Sequence, residues 1–166
     1  IVKYNKLFSQ VKIELISDVS PKIFALMKKN ECDIGFVNLP IADDEDIVID
    51  KSIVFLNDIF IGGERFSELK GKELSVRDLQ KYPLLLMEEH TVSRESVNNY
   101  GVSHGVNFKP AVEVNSWGFM KKLVIDGMGI GCIPREYALN RLKEGSLFEL
   151  NVIPSLPVRS VGMALP

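Results

Sequence analysis

The sequence predicts an α/β protein in which a mostly parallel sheet is laid down one strand at a time, each strand followed by a helix. Three observations carry that prediction. Short apolar runs alternate along the chain with segments of helical period, the pattern of βα units. Three of those runs stop where a Ser or Thr stands at the mouth of a helix: Ile13 to Ile16 before Ser20-Pro21, Leu84 to Met87 before Thr91 to Ser93, and Val112 to Val114 before Ser116. The third observation is a long strand-like run from Ile53 to Gly63, whose length and terminal glycines predict a strand crossing from one lobe into another.

The elements follow in order. Residues 1–8 read as the end of a helix. Val11 to Ile16 alternates apolar with polar side chains and reads as a strand with one wetter face. Ser20 is expected to cap the next helix, with Pro21 at its first position, where the missing N–H costs nothing. Ile23, Phe24, Leu26 and Met27 supply its buried stripe. Ile34 to Leu39 is the next strand, and Asp43-Asp44-Glu45-Asp46 an acidic surface loop. Beyond the crossing run, Ser75 caps a short helix over Val76 to Gln80 that Tyr82-Pro83 stops. Leu84 to Met87, apolar at every position, reads as a strand buried on both faces.

A helix from Ser93 to His104, a strand at Ala111 to Val114 and a helix from Trp117 to Asp126 come next, with Gly127 at the C′ position of that last helix. Ile130 to Ile133 is a strand, Arg135 to Lys143 a helix and Leu147 to Val152 a strand. Arg159 to Leu165 is expected to return to the first lobe. The strand inventory of residues 1–50 is thin for a lobe and lacks a first strand, so residues before Ile1 and after Pro166 are expected to be missing.

Composition narrows the function. A 166-residue chain hides ~70% of its unfolded surface, and 46% hydrophobic with 25% charged residues is ordinary for a globular protein. A net charge of -2 and a pI near 5.8 argue against nucleic acid as the direct partner of this segment, because phosphate contacts need clustered Lys and Arg. No apolar stretch approaches the ~20 residues of a membrane span. Cys32 and Cys132 each sit among apolar neighbours and read as core filler, consistent with a reducing cytoplasm.

No Gly-x-Ser-x-Gly elbow occurs, and two histidines with two distant cysteines do not make a zinc site. Phosphate-loop spacing is missing as well, and Gly127-Met128-Gly129-Ile130-Gly131 lacks the dinucleotide pattern. The expectation is therefore no enzyme, no metal and no cofactor.

Four stretches are more specific. They are Glu31-Cys32-Asp33-Ile34-Gly35-Phe36-Val37, Leu74-Ser75-Val76-Arg77-Asp78-Leu79, Tyr82-Pro83-Leu84-Leu85-Leu86, and Leu123 to Pro134, where a helix ends at a glycine and a glycine-framed strand ends at proline. In these, and in element order over essentially the whole chain, the protein resembles the effector-binding domain of LysR-type transcriptional regulators. The resemblance implies two Rossmann-like lobes joined by two crossing strands, like a type 2 periplasmic binding protein, with the first lobe truncated. Lobe I would be 1–57 and 153–166, and lobe II 58–152.

It implies a small-molecule effector in the cleft, a cytoplasmic regulator without membrane contact, and a homodimer or homotetramer. Pairing would use the helices at Ser20 to Asn30 and Ser93 to His104. DNA would be read through an N-terminal winged helix-turn-helix that this chain does not include.

The resemblance also places effector contacts. Ser20 opens the first-lobe helix, and Asn38 stands where several members put a cleft-facing polar side chain. His90-Thr91-Val92-Ser93-Arg94 stands where many read Gly-Ser-Ser-Thr-Arg, with His90 in place of a glycine and Val92 in place of a hydroxyl. Ser116 and Trp117 lie beside the crossover, and Ile133 forms the wall near the cleft.

The residues support an anionic guest on their own terms. Strand-to-helix turns gather at the carboxyl edge of an open sheet, where backbone N–H groups and helix dipoles suit an anion. One of Thr91 and Ser93 suffices as a cap, leaving a spare donor. Arg94 is a candidate counter-charge, His90 a titrating contact and Trp117 a stacking surface. The alternative on the same architecture is the solute-binding receptor of a membrane transporter.

Overall fold

The structure, a computed structural model, describes residues 1–40 and 45–166, with backbone alone at 51 and 52. Its elements begin with α1 (Val2–Leu7), α2 (Ser20–Lys28), β1 (Gly35–Leu39), β2 (Val48–Leu56), β3 (Asp58–Gly62), β4 (Glu73–Ser75) and β5 (Leu84–Met87). There follow α3 (Val92–Ser103), β6 (Val112–Val114), α4 (Trp117–Ile125), β7 (Ile130–Pro134), α5 (Arg135–Glu144), β8 (Phe148–Glu149), β9 (Asn151–Ile153) and β10 (Arg159–Leu165). Two 3-10 turns, Glu64–Leu69 and Val76–Lys81, flank β4, and Ser75 closes a capping box with Asp78 on the second.

β1, β10 and β2 form a three-stranded antiparallel sheet, in register from Gly35 opposite Ala164 to Leu39 opposite Ser160. Helix α2 covers one face, burying Ile23, Phe24 and Met27 against Val37, Leu39, Ile47 and Ala164. A second sheet runs in the order β6-β5-β7-β3-β8. Because side chains alternate along a strand, its two faces carry separate cores. Phe60, Leu84, Leu86, Ile130 and Cys132 meet Val97 and Tyr100 of α3 on one side. Ile59, Ile61, Leu85 and Ile133 meet Met120 and Val124 of α4 and Ala138 of α5 on the other.

The glycine-rich stretch after α4 has a steric reason. Gly127 takes φ +81° to reverse the chain. A Cβ on Gly129 would lie 2.3 Å from the Pro83 carbonyl oxygen, the same oxygen that accepts from Ile130 N–H at 2.9 Å. Close approach of these two backbones is what lets β7 join β5.

The expected crossing run breaks at Asn57: β2 belongs to the first sheet and β3 to the second, and β10 returns to the first. Several expectations are corrected. Val11 to Ile16 forms no strand. No described strand lies alongside it, Leu15 is 69% exposed, and an alternating pattern alone cannot satisfy backbone hydrogen bonds. The sheets are not mostly parallel: among the described residues three of seven strand pairs are. Crossing strands β3 and β10 run against their neighbours in each sheet.

Leu147 to Val152 divides at Leu150, with β8 paired to β3 and β9 to β4. Ser20 is the first helical residue, not the cap; Val19 holds the N-cap position without a side-chain bond. Asp43 and Asp44 of the acidic loop lie outside the described residues. No described helix is long and apolar enough to cross a membrane.

Candidate functional site

Where the chain crosses between sheets, its polar groups are tied together. Arg135 N–H donates to the Asn57 carbonyl at 2.7 Å, and Asn57 Nδ2 donates to Glu136 Oε1 at 3.0 Å, pinning the break to the start of α5. The next residue, Asp58, opens β3, and Arg159 opens β10. Arg159 Nη2 donates to Asp58 Oδ1 at 2.8 Å and Nε to Oδ2, a two-pronged pair with Asp58 7% and Arg159 5% exposed. Arg159 Nη1 then donates to Asn38 Oδ1 at 3.1 Å, and Asn38 backbone N–H donates to Ser20 Oγ at 2.9 Å. One connected path thus runs from the mouth of α2 through β1 and β10 to the first residue of β3.

Asp58 also lines a small cavity with Met87, Ser93, Arg94, Trp117 and Cys132. Its volume of about 10 Å³ holds roughly one water. Arg159, on the other side of the pair, lines an open groove of about 840 Å³ between Leu39-Pro40, α3 and the segment 154–160. That size suits a small ligand, but the groove holds none of the residues expected from the sequence. Ser93, Arg94 and Trp117 line the cavity, Ser20 and Asn38 lie on the hydrogen-bonded path, and His90, Thr91, Ser116 and Ile133 belong to neither.

Their individual places differ. Thr91 caps α3: its Oγ1 accepts from Arg94 N–H at 3.2 Å and donates to the Glu88 carbonyl at 2.9 Å, so both its functions are spent. Ser93 is the hydroxyl left over, and it faces the cavity. His90 precedes the cap at φ +66°, the left-handed backbone that a glycine would take without strain. Ser116 caps α4, accepting from Phe119 N–H at 3.4 Å. Trp117 stands at the cavity with its ring 4.7 Å from that of Tyr137.

Arg94 is buried and already matched. Its Nη1 donates to Glu113 Oε1 at 2.7 Å and to the Met87 carbonyl at 2.8 Å, and its Nε to Asn98 Oδ1 at 3.0 Å. Ile133, expected on the cleft wall, is 1% exposed inside the α4 and α5 core. Strand alternation turns its neighbour Cys132 to the cavity instead.

Sequence reasoning missed Asp58, Arg159 and Cys132. The signal was present: Asn57-Asp58 interrupts an apolar run, and a charge inside such a run needs a buried partner. Burial pushes the Cys132 thiol well up, with the Asp58 carboxylate adding to the effect, so it stays protonated and unreactive. Burial likewise pushes the Tyr100 phenol up to about 12; its hydroxyl donates to the Pro154 carbonyl at 2.6 Å. Among the described residues no group of three His, Cys, Asp or Glu is placed to hold a metal.

Two α/β sheets joined by two crossings of the chain, with buried polar groups concentrated there, define the fold class of the periplasmic-binding-protein-like ligand domains. Comparison with known proteins carries this further. The chain belongs to the LysR substrate binding domain family, whose model matches residues 1–166.

An uncharacterized HTH-type transcriptional regulator of Escherichia coli strain K12, YeiE, is 28% identical over 156 residues, covering 92% of this chain and 51% of that protein. The HTH-type regulator Cbl of the same organism is 20% identical over 158 residues, 90% of this chain and 49% of that one. The chain therefore spans about half the length of these curated relatives.

Among solved structures, the CcmR regulatory domain of Synechocystis PCC6803 in complex with 2-PG superposes with a TM-score of 0.85 at 20% identity, over 98% of this chain and 77% of that one. The effector binding domain of QuiR in complex with shikimate gives 0.81 at 15% identity, over 99% and 77%. At such identities the structures establish the fold. The relatives are transcriptional regulators, which does not favour the transporter-receptor reading.

Proposed function

We propose that this chain is the effector-sensing and self-associating part of a cytoplasmic LysR-type DNA-binding regulator, and that it binds a small anionic metabolite without transforming it. The lobes are 1–57 with 153–166, and 58–152. The observation that carries the reading is the unbroken path Ser20–Asn38–Arg159–Asp58, which joins the first sheet to the cavity holding Ser93, Arg94 and Trp117. A guest at this crossing is larger than the single water the cavity has room for, so it parts the residues that line it, touches both lobes and favours one relative arrangement over the other.

Ser20, Asn38, Ser93 and Ser116 supply direct contacts, Trp117 a flat wall and Thr91 a fixed cap. Arg94, held by Glu113, shapes the pocket together with His90 and the core residue Ile133 behind it. The regulator would act as a homodimer or homotetramer, reaching DNA through a winged helix-turn-helix outside this chain. A bias in lobe geometry becomes a bias in assembly geometry by population shift, and only to the extent that the guest prefers one arrangement.

Titration calorimetry against a panel of carboxylates, phosphates and neutral polar metabolites tests this. One member is expected to bind with affinity lost in Ser93→Ala and Ser20→Ala. Turnover of the bound compound, or no binding across the panel, contradicts it.

A further inference from the structure

Resting on the reading that a guest enters at this crossing, we propose that Arg159, clamped by Asp58, is a positioning residue that sets the polarity of the site. It turns the Asn38 amide so that the Nδ2 amino group is offered to the ligand, which selects an acceptor, such as a carboxylate or phosphate oxygen, over a donor such as an ammonium. A guanidinium carries donors only. The amide end that Nη1 meets at 3.1 Å is therefore the oxygen. Asp58 occupies Nε and Nη2, which leaves Nη1 for Asn38. Both members of the pair are more than nine-tenths buried, so the guanidinium has one orientation.

Asn38 is only partly buried, and its Nδ2 has no partner among the described residues. Ser20 follows the same logic: its oxygen accepts from Asn38 N–H, which leaves the O–H to donate. Among the described residues two donors are thus unspent where the sequence alone shows two ambivalent groups. Charge is excluded from the selection, because Asp58 neutralises Arg159 and Glu113 neutralises Arg94. The contact is a pair of neutral donors held in place by buried ions.

Side-chain amide ¹H–¹⁵N spectra of the 166-residue chain test the assignment, with inorganic phosphate, acetate or ethylammonium as probes. Phosphate or acetate is expected to shift the Asn38 NH₂ pair, and ethylammonium is not. Asn38→Asp keeps an oxygen on Arg159 but turns a second oxygen outward. Its affinity for the bound oxyanion is expected to fall at least about tenfold, with no loss of thermal midpoint. Arg159→Lys retains the charge beside Asp58 without the fork, and is expected to weaken oxyanion binding while the fold persists.

Undiminished oxyanion binding in Asn38→Asp, or ethylammonium binding at Asn38 in the unaltered chain, overturns the positioning role and leaves the site standing. If every probe leaves the Asn38 amide and the Trp117 indole N–H unshifted, the site falls and the inference with it.

Discussion

Arg159→Met removes the cation of the crossing while keeping most of the side-chain stem. In the native chain Arg159 gives Asp58 two charge-assisted bonds and Asn38 a third, and both ions are almost wholly withdrawn from water. Moving an ion pair out of water costs several kcal/mol per ion, which mutual attraction and the added bonds offset. Deleting one partner leaves the cost of the other uncompensated. The expected loss is about 3–5 kcal/mol, a large share of the roughly 5–15 kcal/mol that holds a domain together.

Replacing both ions, Asp58→Leu with Arg159→Met, removes the penalty at its source. The double variant should recover to within about 1 kcal/mol of the native chain or exceed it. Urea unfolding followed by circular dichroism, with the denaturant slope compared across the cycle, measures both numbers. A loss below about 1 kcal/mol in Arg159→Met would refute the buried pair, since losses that small belong to exposed pairs. A double variant as unstable as the single would locate the damage in packing.

The remaining expectations concern other parts of the chain. His90→Gly relieves the left-handed backbone at φ +66° and should stabilise by about 0.5–1 kcal/mol after Gly's extra chain entropy, seen as a rise in thermal midpoint; a fall would mean the side chain makes a contact worth more than the strain. Gly129→Ala drives a Cβ toward the Pro83 oxygen and should cost about 1–3 kcal/mol in urea unfolding. A thiol titration of the native chain should count one reactive cysteine, Cys32, and a second only on unfolding, because Cys132 is buried.

Alkaline stability follows from the same burial. The folded thiol of Cys132 ionises well above the 9.0 of the unfolded chain. Above that pH the unfolded state binds fewer protons, so stability falls by up to about 1.4 kcal/mol per pH unit. Cys132→Ala should flatten that slope, and an unchanged slope would assign it elsewhere.

Much of the second sheet was legible in the sequence, because its signals are local. Leu84 to Met87 is apolar throughout, Ser75, Thr91 and Ser116 are caps in fact, and Gly127 ends α4 as its position implied. What failed depends on partners distant in sequence. Val11 to Ile16 has the alternation of a strand but no described neighbour to pair with. Strand direction at β3 and β10 is set by crossing between sheets, which no local pattern encodes. Ser20 carries a capping side chain at a helix mouth, yet its hydroxyl is drawn off by Asn38 N–H, eighteen residues away. The Asp58–Arg159 pair spans 101 residues; the sequence shows each charge beside apolar residues but not that the two meet.

The proposed guest touches both sheets at once. Trp117 is the one tryptophan of the chain and lies in the cavity wall, so its fluorescence reports occupancy directly. The decisive measurement is that titration, with the panel member that binds, in Asn38→Ala, Ser93→Ala and the double variant. Affinity should fall about five- to tenfold in each single variant, as for one lost hydrogen bond, and by the product in the double. A ligand indifferent to Asn38, the contact from the first sheet, would contradict a site shared between the lobes.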